Sequence, residues 1–396
     1  MKELMDEKID KPNSFTRRDF LKVGGITIAS AMLLNVLASC SLDKTVTETF
    51  TTTKTVTDTA PPVTSGPTSF VFTDSLGRKV EVPANITKIA VSGSMAQIVL
   101  FALCPDKLVG IASAWDAAAK QFLDEKYYNL PVLGQFYVGS GSGNLSMEEI
   151  AKTGAQILID VGDVKANHVA DMNTLQSQLG IPAVHIDAYT AAMAHCYRML
   201  GELLNMPEEA DAIAKYCDKV YGNTISIANR VTADGTKAKL LYVTGSEGLN
   251  VIAKNSYHAE ILDILSNNLA VVSNPSSSGN GNAVGMEQIL IWSPETIIFA
   301  PNSIYSTVGS KGDWSTIPAI KNGKYYEVPF GPYNWMGSPP SVQRYLGMIW
   351  MAQLLYPEAA QYNVYNEVQE YFKLFYHCDI TRAQYDALVA NSLGKK

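Results

Sequence analysis

Short apolar runs alternate with amphipathic stretches along most of the chain. The first feature is a predicted β-hairpin, in which two runs of alternating apolar and polar residues flank a turn at 74–78. Because strands that alternate with helices form parallel sheets covered by helices, the pattern beyond the hairpin predicts an α/β fold. The predicted strands lie at 86–91, 108–112, 157–161, 183–187, 239–243, 296–299 and 325–328.

One long helix interrupts this alternation. Apolar positions recur at mostly helical spacing over residues 207–231, a segment without internal proline. Pro207 suits the first helical turn, and Asp234 with Gly235 is expected to end the helix. Because strands and helices alternate on both sides of it, we predict two Rossmann-like β/α lobes joined by one long α-helix, with a ligand cleft between the lobes.

The N-terminus resembles a bacterial export signal. Arg17 and Arg18, followed by Phe-Leu-Lys at 20–22, are typical of a twin-arginine signal. The apolar stretch after them is shorter than the roughly 18 residues expected of a membrane-spanning helix. It ends in Leu-Ala-Ser-Cys, which resembles a lipobox and implies that Cys40 carries two acyl chains. The alternative is an ordinary signal peptide that happens to end at a cysteine.

These features divide the chain into five predicted parts. A signal peptide covers 1–39, and a threonine-rich tether without helical or strand periodicity covers 40–68. The N-terminal α/β lobe is expected over 69–206, the linking helix over 207–233, and the C-terminal α/β lobe with terminal helices over 234–396. The terminal helices are predicted at 341–355, 363–376 and 381–392.

Composition limits the functions that the chain can have. Its 396 residues suffice for two domains with additional segments, and 31 Lys and Arg against 38 Asp and Glu give a net charge of −7. Since a nucleic-acid-binding protein needs a basic face, we exclude that class of partner. The sequence contains no nucleophile-elbow, zinc-protease or EF-hand motif. We therefore expect a binding protein and not an enzyme.

The cysteines and histidines form no recognisable motif. The four cysteines other than Cys40 are widely spaced and include no CxxC pair, so we expect free and mostly buried thiols. An exported chain could nevertheless oxidise two of them, and the spacing names no pair. The five histidines are also scattered, which gives little support for a zinc or manganese site. We predict neither a metal site nor a resident cofactor.

Several local motifs resemble those of the class III substrate-binding proteins of ABC importers, the siderophore, haem and cobalamin group. They occur at 73–78, 106–110, 293–295 and 314–326, and the resemblance covers about residues 70–360. The resemblance implies an extracytoplasmic receptor that captures a metal-chelate nutrient. The chelate would be a ferric siderophore, haem or a corrinoid, delivered to an ABC permease with its ATPase.

A short internal repeat accompanies this resemblance. Residues 146–150, Ser-Met-Glu-Glu-Ile, precede one predicted strand, and residues 285–289, Gly-Met-Glu-Gln-Ile, precede another at the same offset. In the family, each lobe docks onto the permease through an exposed glutamate, and the matching positions are Glu148 and Glu287. The alternative is ordinary helix chemistry, because the helix dipole favours an acid in the first turn by about 0.3–1 kcal/mol.

The ligand is expected in the cleft, on loops that follow the carboxyl ends of strands. Aromatic walls suit a large, flat or partly apolar chelate, and Arg344 is a candidate partner for an acidic group of the ligand. Alternatively, the aromatic residues pack within the lobes and Arg344 lies exposed on a helix. The candidate ligand-binding residues are Trp115, Tyr137, Tyr257, Asn282, Tyr333, Trp335 and Arg344.

These inferences place the protein outside the cytoplasm. We expect a monomer that is lipid-anchored on the outer face of the cytoplasmic membrane, in the periplasm or at the cell surface. A continuous linking helix has few soft dihedrals, so we expect only modest closure of the cleft. Two other functions stay open, namely a ligand-sensing interaction protein on the same fold and a receptor for a free metal ion.

Overall fold

A computed structural model of the protein describes residues 68–138 and 141–393. All of them belong to one compact unit that spans residues 64–396. The predicted signal peptide, the predicted lipidation site Cys40 and nearly all of the predicted tether lie outside the described residues. Among the helices that are described, none combines the length and the hydropathy needed to cross a bilayer.

Helices and short strands alternate along the described chain. The helices are α1 (Ser94–Leu103), α2 (Glu125–Tyr128), α3 (Met147–Thr153), α4 (His168–Leu179), α5 (Met193–Leu204), α6 (Pro207–Ala233), α7 (Glu260–Leu265), α8 (Met286–Trp292), α9 (Pro318–Lys321), α10 (Arg344–Leu355), α11 (Pro357–Ala360), α12 (Val364–Phe375) and α13 (Arg382–Leu388). The strands are β1 (Ser69–Thr73), β2 (Lys79–Pro83), β3 (Ile89–Val91), β4 (Tyr137–Val138), β5 (Gly141–Ser142), β6 (Ile157–Gly162), β7 (Ala183–Asp187), β8 (Lys239–Thr244), β9 (Asn250–Val251), β10 (Asn267–Asn268), β11 (Asn282–Ala283), β12 (Thr296–Phe299) and β13 (Tyr325–Glu327).

The N-lobe, which we define as the described residues before α6, contains a parallel sheet in the order β3–β6–β7. Its central strand β6 is covered on both faces, with Ile157 and Ile159 in the cluster that includes α1 and Leu158 in the cluster that includes α4. A continuous buried run is therefore required there, and the sequence has one. The predicted hairpin is confirmed as the antiparallel pair β1–β2.

The continuous strand predicted at 108–112 is wrong. In the structure, Leu108 pairs only with Ile89, and Ile111 only with Val132, as isolated parallel bridges. Gly110 lies between these two bridges, and a side chain there would collide with that of Leu133. A glycine in a strand interior has no side chain to pack and marks a close approach, which explains the interruption.

The C-lobe, the described residues after α6, contains a larger sheet. Strands β10, β8, β12 and β13 run parallel, while β9 and β11 add antiparallel pairs at one edge. Each lobe therefore has a sheet built around parallel strands, one before and one after α6 in the chain, which confirms the predicted α/β architecture. The carboxyl ends of β6 and of the interior strand β12 lead into loops that line the cleft between the lobes.

Helix α6 is the long helix predicted from the periodicity at 207–231, and it is confirmed with 27 residues. Pro207 occupies its first turn together with Glu208 and Glu209, whose charges favour the amino end of a helix. Gly235 follows it with a positive φ of 67°, a conformation that glycine adopts without steric cost. The sequence thus specifies both ends of the element that joins the lobes.

The two lobes share one continuous hydrophobic core around α6. Phe101 and Tyr197 of the N-lobe belong to the same buried cluster as Trp335, Trp350 and Phe375 of the C-lobe. Two smaller clusters lie within the single lobes, one around β12 and one around β6. Since the largest buried cluster crosses from lobe to lobe, the two sheets are held together by packing as well as by the chain connection.

The terminal helices predicted from sequence are present as α10, α12 and α13, each shorter at one or both ends. They do not pack on the C-lobe alone. The ring of Phe372 in α12 lies 5.0 Å from that of Phe122, and Nε2 of His377 lies 3.2 Å from the carbonyl oxygen of Phe101. The C-terminal part of the chain therefore covers α1 of the N-lobe and ties the two lobes together.

Two helical glycines provide a matched test of this packing. A methyl group on Gly201 in α5 would lie 2.5 Å from Cβ of Ala210 in α6, whereas one on Gly222 in α6 would meet no atom within 4 Å. We expect Gly201→Ala to lower the free energy of unfolding by about 1–3 kcal/mol through overpacking. Gly222→Ala should raise it by about 0.5–1 kcal/mol through helix propensity. Urea denaturation measures both values, and a stabilising Gly201→Ala would contradict the close contact.

Candidate functional site

Two cavities lie at the cleft, one beside each sheet. The N-side cavity has a volume of about 230 Å³, and the C-side cavity has about 300 Å³. The N-side cavity is bounded by Ser92, Ser94, Gln135, Tyr137, Asp160, Asp163, Lys165 and His168, and by Tyr257, Pro339 and Pro340 from the C-lobe. The C-side cavity is bounded by Tyr242, Thr244, His258, Asn280, Asn302, Phe330, Asn334, Met336 and Ser338. Each cavity lies where strands end, as expected for a binding cleft of this architecture.

A buried carboxylate, Asp160 on β6, organises the floor of the N-side cavity. Nε2 of His168 lies 3.0 Å from its Oδ2, and Nδ1 of His185 lies 2.6 Å from the same oxygen. The hydroxyl of Ser92, at the end of β3, donates to Oδ1. Burial alone would raise the pKa of Asp160, but the hydrogen bonds from the two histidines and from Ser92 outweigh it and lower the pKa. Asp160 is therefore ionised.

The protonation of the two histidines follows from their partners. The backbone N–H of Lys165 donates to Nδ1 of His168 over 3.2 Å, so the proton of neutral His168 must lie on Nε2, which faces Asp160. His185 lies between two carboxylates, because its Nε2 is 2.9 Å from Oδ1 of Asp187. Burial lowers the pKa of His185, but its bonds to Asp160 and Asp187 raise it further, and the net direction is upward.

Asp160, His168 and His185 are the only described group of histidine and carboxylate side chains close enough to hold a metal ion. Their ligand atoms lie within 4.8 Å of one another. A metal bound to Nε2 of His168 would require the proton on Nδ1, where it would oppose the N–H of Lys165. His185 is likewise engaged by a carboxylate at each nitrogen. The donor set thus fits a hydrogen-bonded cluster that fixes the ends of β6 and β7.

Tyr257 closes the N-side cavity from the C-lobe. Burial, reinforced by the negative charge of Asp163, raises the pKa of Tyr257. Arg344 fixes the tyrosine from behind, since Nη2 donates to the carbonyl oxygen of Tyr257 over 2.8 Å and the guanidinium lies 5.1 Å from the ring centroid. Nη1 of Arg344 also contacts Glu260 at 2.6 Å, and Glu260 accepts from Thr190 of the N-lobe. Arg344 is therefore a bridge between the lobes.

The C-side cavity differs in charge from the N-side cavity. None of its bounding side chains is an aspartate, glutamate, lysine or arginine. Burial lowers the pKa of His258, so the imidazole is neutral at pH 7, and burial raises the pKa of Tyr242 to about 12. Its hydrogen-bonding groups are amides and hydroxyls, which include Asn334, whose Nδ2 donates to the hydroxyl of Tyr242 over 3.2 Å. This cavity fits uncharged polar groups.

The structure places two of the seven candidate ligand-binding residues in the wall of a cavity. Tyr137 and Tyr257 both line the N-side cavity. Arg344 lies behind Tyr257 and is buried and paired, so it is not the exposed helical arginine of the alternative interpretation. Its charge is engaged by Glu260, and its side chain lines neither cavity.

The other four candidates, Trp115, Asn282, Tyr333 and Trp335, line neither cavity. Trp335 is fully buried, with its indole N–H donating to the carbonyl oxygen of Gly331. Trp115 is also buried and packs against Phe101 and Tyr333, so these aromatic side chains serve the shared core. Asn282 braces a loop, because its side chain bonds two backbone groups of that loop. Aromatic character alone did not distinguish residues that line a cavity, such as Tyr137 and Tyr257, from residues buried in the core, such as Trp115 and Trp335.

The two candidate docking residues occupy matched positions. Glu148 lies in the first turn of α3 with a side chain that is 78% exposed, and Glu287 lies exposed in the first turn of α8. Each helix precedes an interior strand of its sheet, β6 after α3 and β12 after α8. The residues that sequence reasoning missed are Asp160, Asp163 and His168. Asp160 and Asp163 could have been found, because both follow the apolar run at 157–159, at the carboxyl end of a strand where ligands bind in this kind of sheet. No local pattern indicates His168.

Three solved structures resemble this fold over most of the chain. An ABC transporter solute-binding protein from Sulfurospirillum deleyianum aligns with a TM-score of 0.72 at 24% identity, covering 81% of this chain and 99% of that one. A periplasmic solute-binding protein from Veillonella parvula aligns at 0.68 with 25% identity, covering 81% and 97%. The molybdate-binding protein MolA of Haemophilus influenzae aligns at 0.60 with 18% identity, covering 79% and 99%.

The chain has the fold of periplasmic ABC-transporter solute-binding proteins. All three neighbours are named as binding proteins, and two of them as proteins of ABC transporters. No protein-family model and no curated protein matches the chain.

The histidine cluster predicts a pH dependence of stability. Because the folded pKa of His185 is raised, its contribution to stability is complete below the unfolded value of about 6.5 and is lost as pH rises through the folded pKa. We therefore expect the free energy of unfolding to fall as pH rises above about 6.5. Replacing one flanking carboxylate, in Asp187→Asn, should lower the pKa of His185. NMR titration with exposed His195 as internal reference tests this, and an unchanged pKa would contradict it.

Proposed function

We propose that this chain is the extracytoplasmic, lipid-anchored receptor of an ABC importer, and that it delivers a metal-chelate nutrient to the permease. The observation that carries the proposal is the cleft, where polar cavities lie at strand ends of two sheets in a solute-binding-protein fold. The lipid anchor and twin-arginine export rest on the sequence at 17–22 and on Cys40. The division of the chain into a tether, two lobes and a linking helix is part of the same proposal.

The charges at the cleft favour an uncharged or weakly charged chelate. No arginine lines either cavity, and the N-side cavity has two carboxylates, Asp160 and Asp163, against the single basic side chain of Lys165. An anionic ligand would gain little from this field, and the net charge of −7 would oppose its approach. Among metal chelates, a corrinoid or a ferric hydroxamate therefore suits the cleft better than a polyanionic catecholate complex.

A small oxyanion is a second candidate. The N-side cavity lies at the amino end of α1, where Gly93 and Ser94 expose backbone N–H groups that no side chain caps. Such helix ends bind anions, and MolA, a protein of similar fold, binds molybdate. Against this candidate, the carboxylate of Asp160 lies at the same cavity.

A binding panel separates these candidates. With a chain that begins at residue 68, we expect cyanocobalamin or an uncharged ferric hydroxamate to bind at least about tenfold more tightly than a ferric catecholate or molybdate. Asn302→Asp places a charge in the C-side cavity and should weaken that binding, because the charge must be desolvated. The matched control Asn322→Asp, at the exposed end of α9, should bind normally. Calorimetry decides, and tight binding of molybdate alone would overturn the chelate assignment.

We infer that Glu148 and Glu287 dock the receptor on its permease. Two exposed carboxylates at equivalent places in the two lobes can fix orientation and raise the association rate. The proposal is supported by the repeated position of the two residues in α3 and α8, which helix chemistry alone does not require.

Charge reversal tests the docking role. In cells, Glu148→Arg combined with Glu287→Arg should abolish solute uptake, while the solute affinity of the purified variant stays unchanged. The matched control is Glu125→Arg with Glu358→Arg, because these acids also occupy exposed first turns of short helices. Normal uptake by the Glu148 and Glu287 double variant would refute the assignment and would favour a sensor that acts without a permease.

A further inference from the structure

Helices α3 and α8 are equivalent elements of the two lobes. Each has seven residues and begins with Met-Glu, and each buries an isoleucine at its fourth position, Ile150 or Ile289. Each ends at a residue of left-handed conformation, Gly154 or Ser293. Their side chains can therefore be compared position by position.

The surroundings of the two glutamates differ at one position. In α3, Nζ of Lys152 lies 2.8 Å from the carboxylate of Glu148 and 2.9 Å from that of Glu149. The equivalent residue in α8 is Ile291, and among the described residues no basic side chain forms an ion pair with Glu287. Ile291 is 75% exposed, the largest value among the described large hydrophobic side chains, and Leu290 beside it is 37% exposed.

We propose that Glu287, Leu290 and Ile291, the α8 surface, make the stronger of two unequal contacts with the permease. This inference rests on the proposed function. The α8 surface combines a free negative charge with apolar side chains one turn away, because residues three and four apart share one face of a helix. It fits a partner surface that presents a basic side chain bordered by apolar ones.

The two contacts differ in strength because each replaces different interactions of the free receptor. A cation of the permease that approaches Glu148 has to displace Lys152, and replacing one exposed ion pair by another yields little net free energy. At the α8 surface no such competitor is described, and Ile291 leaves water on contact. The contact of α3 should therefore weaken with salt, while the apolar part of the α8 contact should persist.

Exchange of the two side chains tests the inference. The full-length receptor is measured for binding to the host's ABC permease complex in nanodiscs, at low and at high salt. We expect Ile291→Lys, which copies the ion pair of α3, to weaken binding by about tenfold or more at both salt concentrations. Lys152→Ile, which copies α8, should strengthen binding.

Matched controls separate these effects from general changes in charge or hydropathy. Val71→Lys makes the same kind of change at a 64% exposed valine on β1, and it should bind as wild type. Lys215→Ile removes a lysine that forms an equivalent i, i+4 pair with Asp211 on α6, and it should also bind as wild type. All four positions are exposed, and thermal melts verify that each variant is folded.

The outcomes distinguish the two levels of the proposal. Wild-type binding by Ile291→Lys, together with loss of binding when both glutamates are reversed, would overturn the asymmetry and leave the docking role intact. Undiminished binding after reversal of both glutamates, or no binding of the wild type at all, would overturn both. Weakened binding by Ile291→Lys that matches the effect of Val71→Lys would also overturn the α8 surface.

Discussion

The packing of α6 against helices from both lobes is the contact on which the rest of the structure depends. The 27-residue helix buries one stripe along its length, and α5, α10 and the C-terminal helices complete a core that contains side chains of both lobes. Two separate cores joined by a linker would allow the sheets to move apart freely. One shared core sets the separation of the two strand edges and therefore the width of the cleft.

The two cavities at the cleft differ in the charge of the side chains that line them. On the N-side, Asp160 accepts from Ser92, His168 and His185, and this buried network fixes the strand ends at the cavity floor. On the C-side, amides and hydroxyls dominate and no ionised side chain lines the cavity. Tyr257, held by Arg344, lines the N-side cavity, and its chain neighbour His258 lines the C-side cavity. A solute that spans the cleft meets charged groups at one end and neutral donors and acceptors at the other.

Periodicity in the sequence was sufficient for most of the fold. The hairpin, the long helix and the buried runs of β6, β7, β8 and β12 were all predictable, because each has the spacing that its burial requires. The interruption at Gly110 was not, since it arises from the distant side chain of Leu133. Tertiary contacts of this kind leave no local pattern.

The site was less predictable than the fold for a similar reason. Tyr137 and Tyr257 were predicted at the cleft because segments after strands meet at one edge of a sheet, and both line the N-side cavity. Trp335 and Trp115 lie in loops as well, but their burial in the shared core depends on partners far along the chain. Asp160 was missed because an acid at the end of an apolar run is also an ordinary strand end, and only the fold brings His168 and His185 to it.

The packing of α12 and the following residues against the N-lobe has a consequence for the order of folding. His377 reaches the backbone of Phe101 across 276 positions of sequence, and Phe372 covers Phe122. The part of α1 that these residues cover therefore stays exposed until residues 372–377 have been synthesised. Contacts this distant close late and slowly, because the entropy of a long loop must be overcome first. We therefore expect the first lobe to complete its packing together with the second, in one cooperative step.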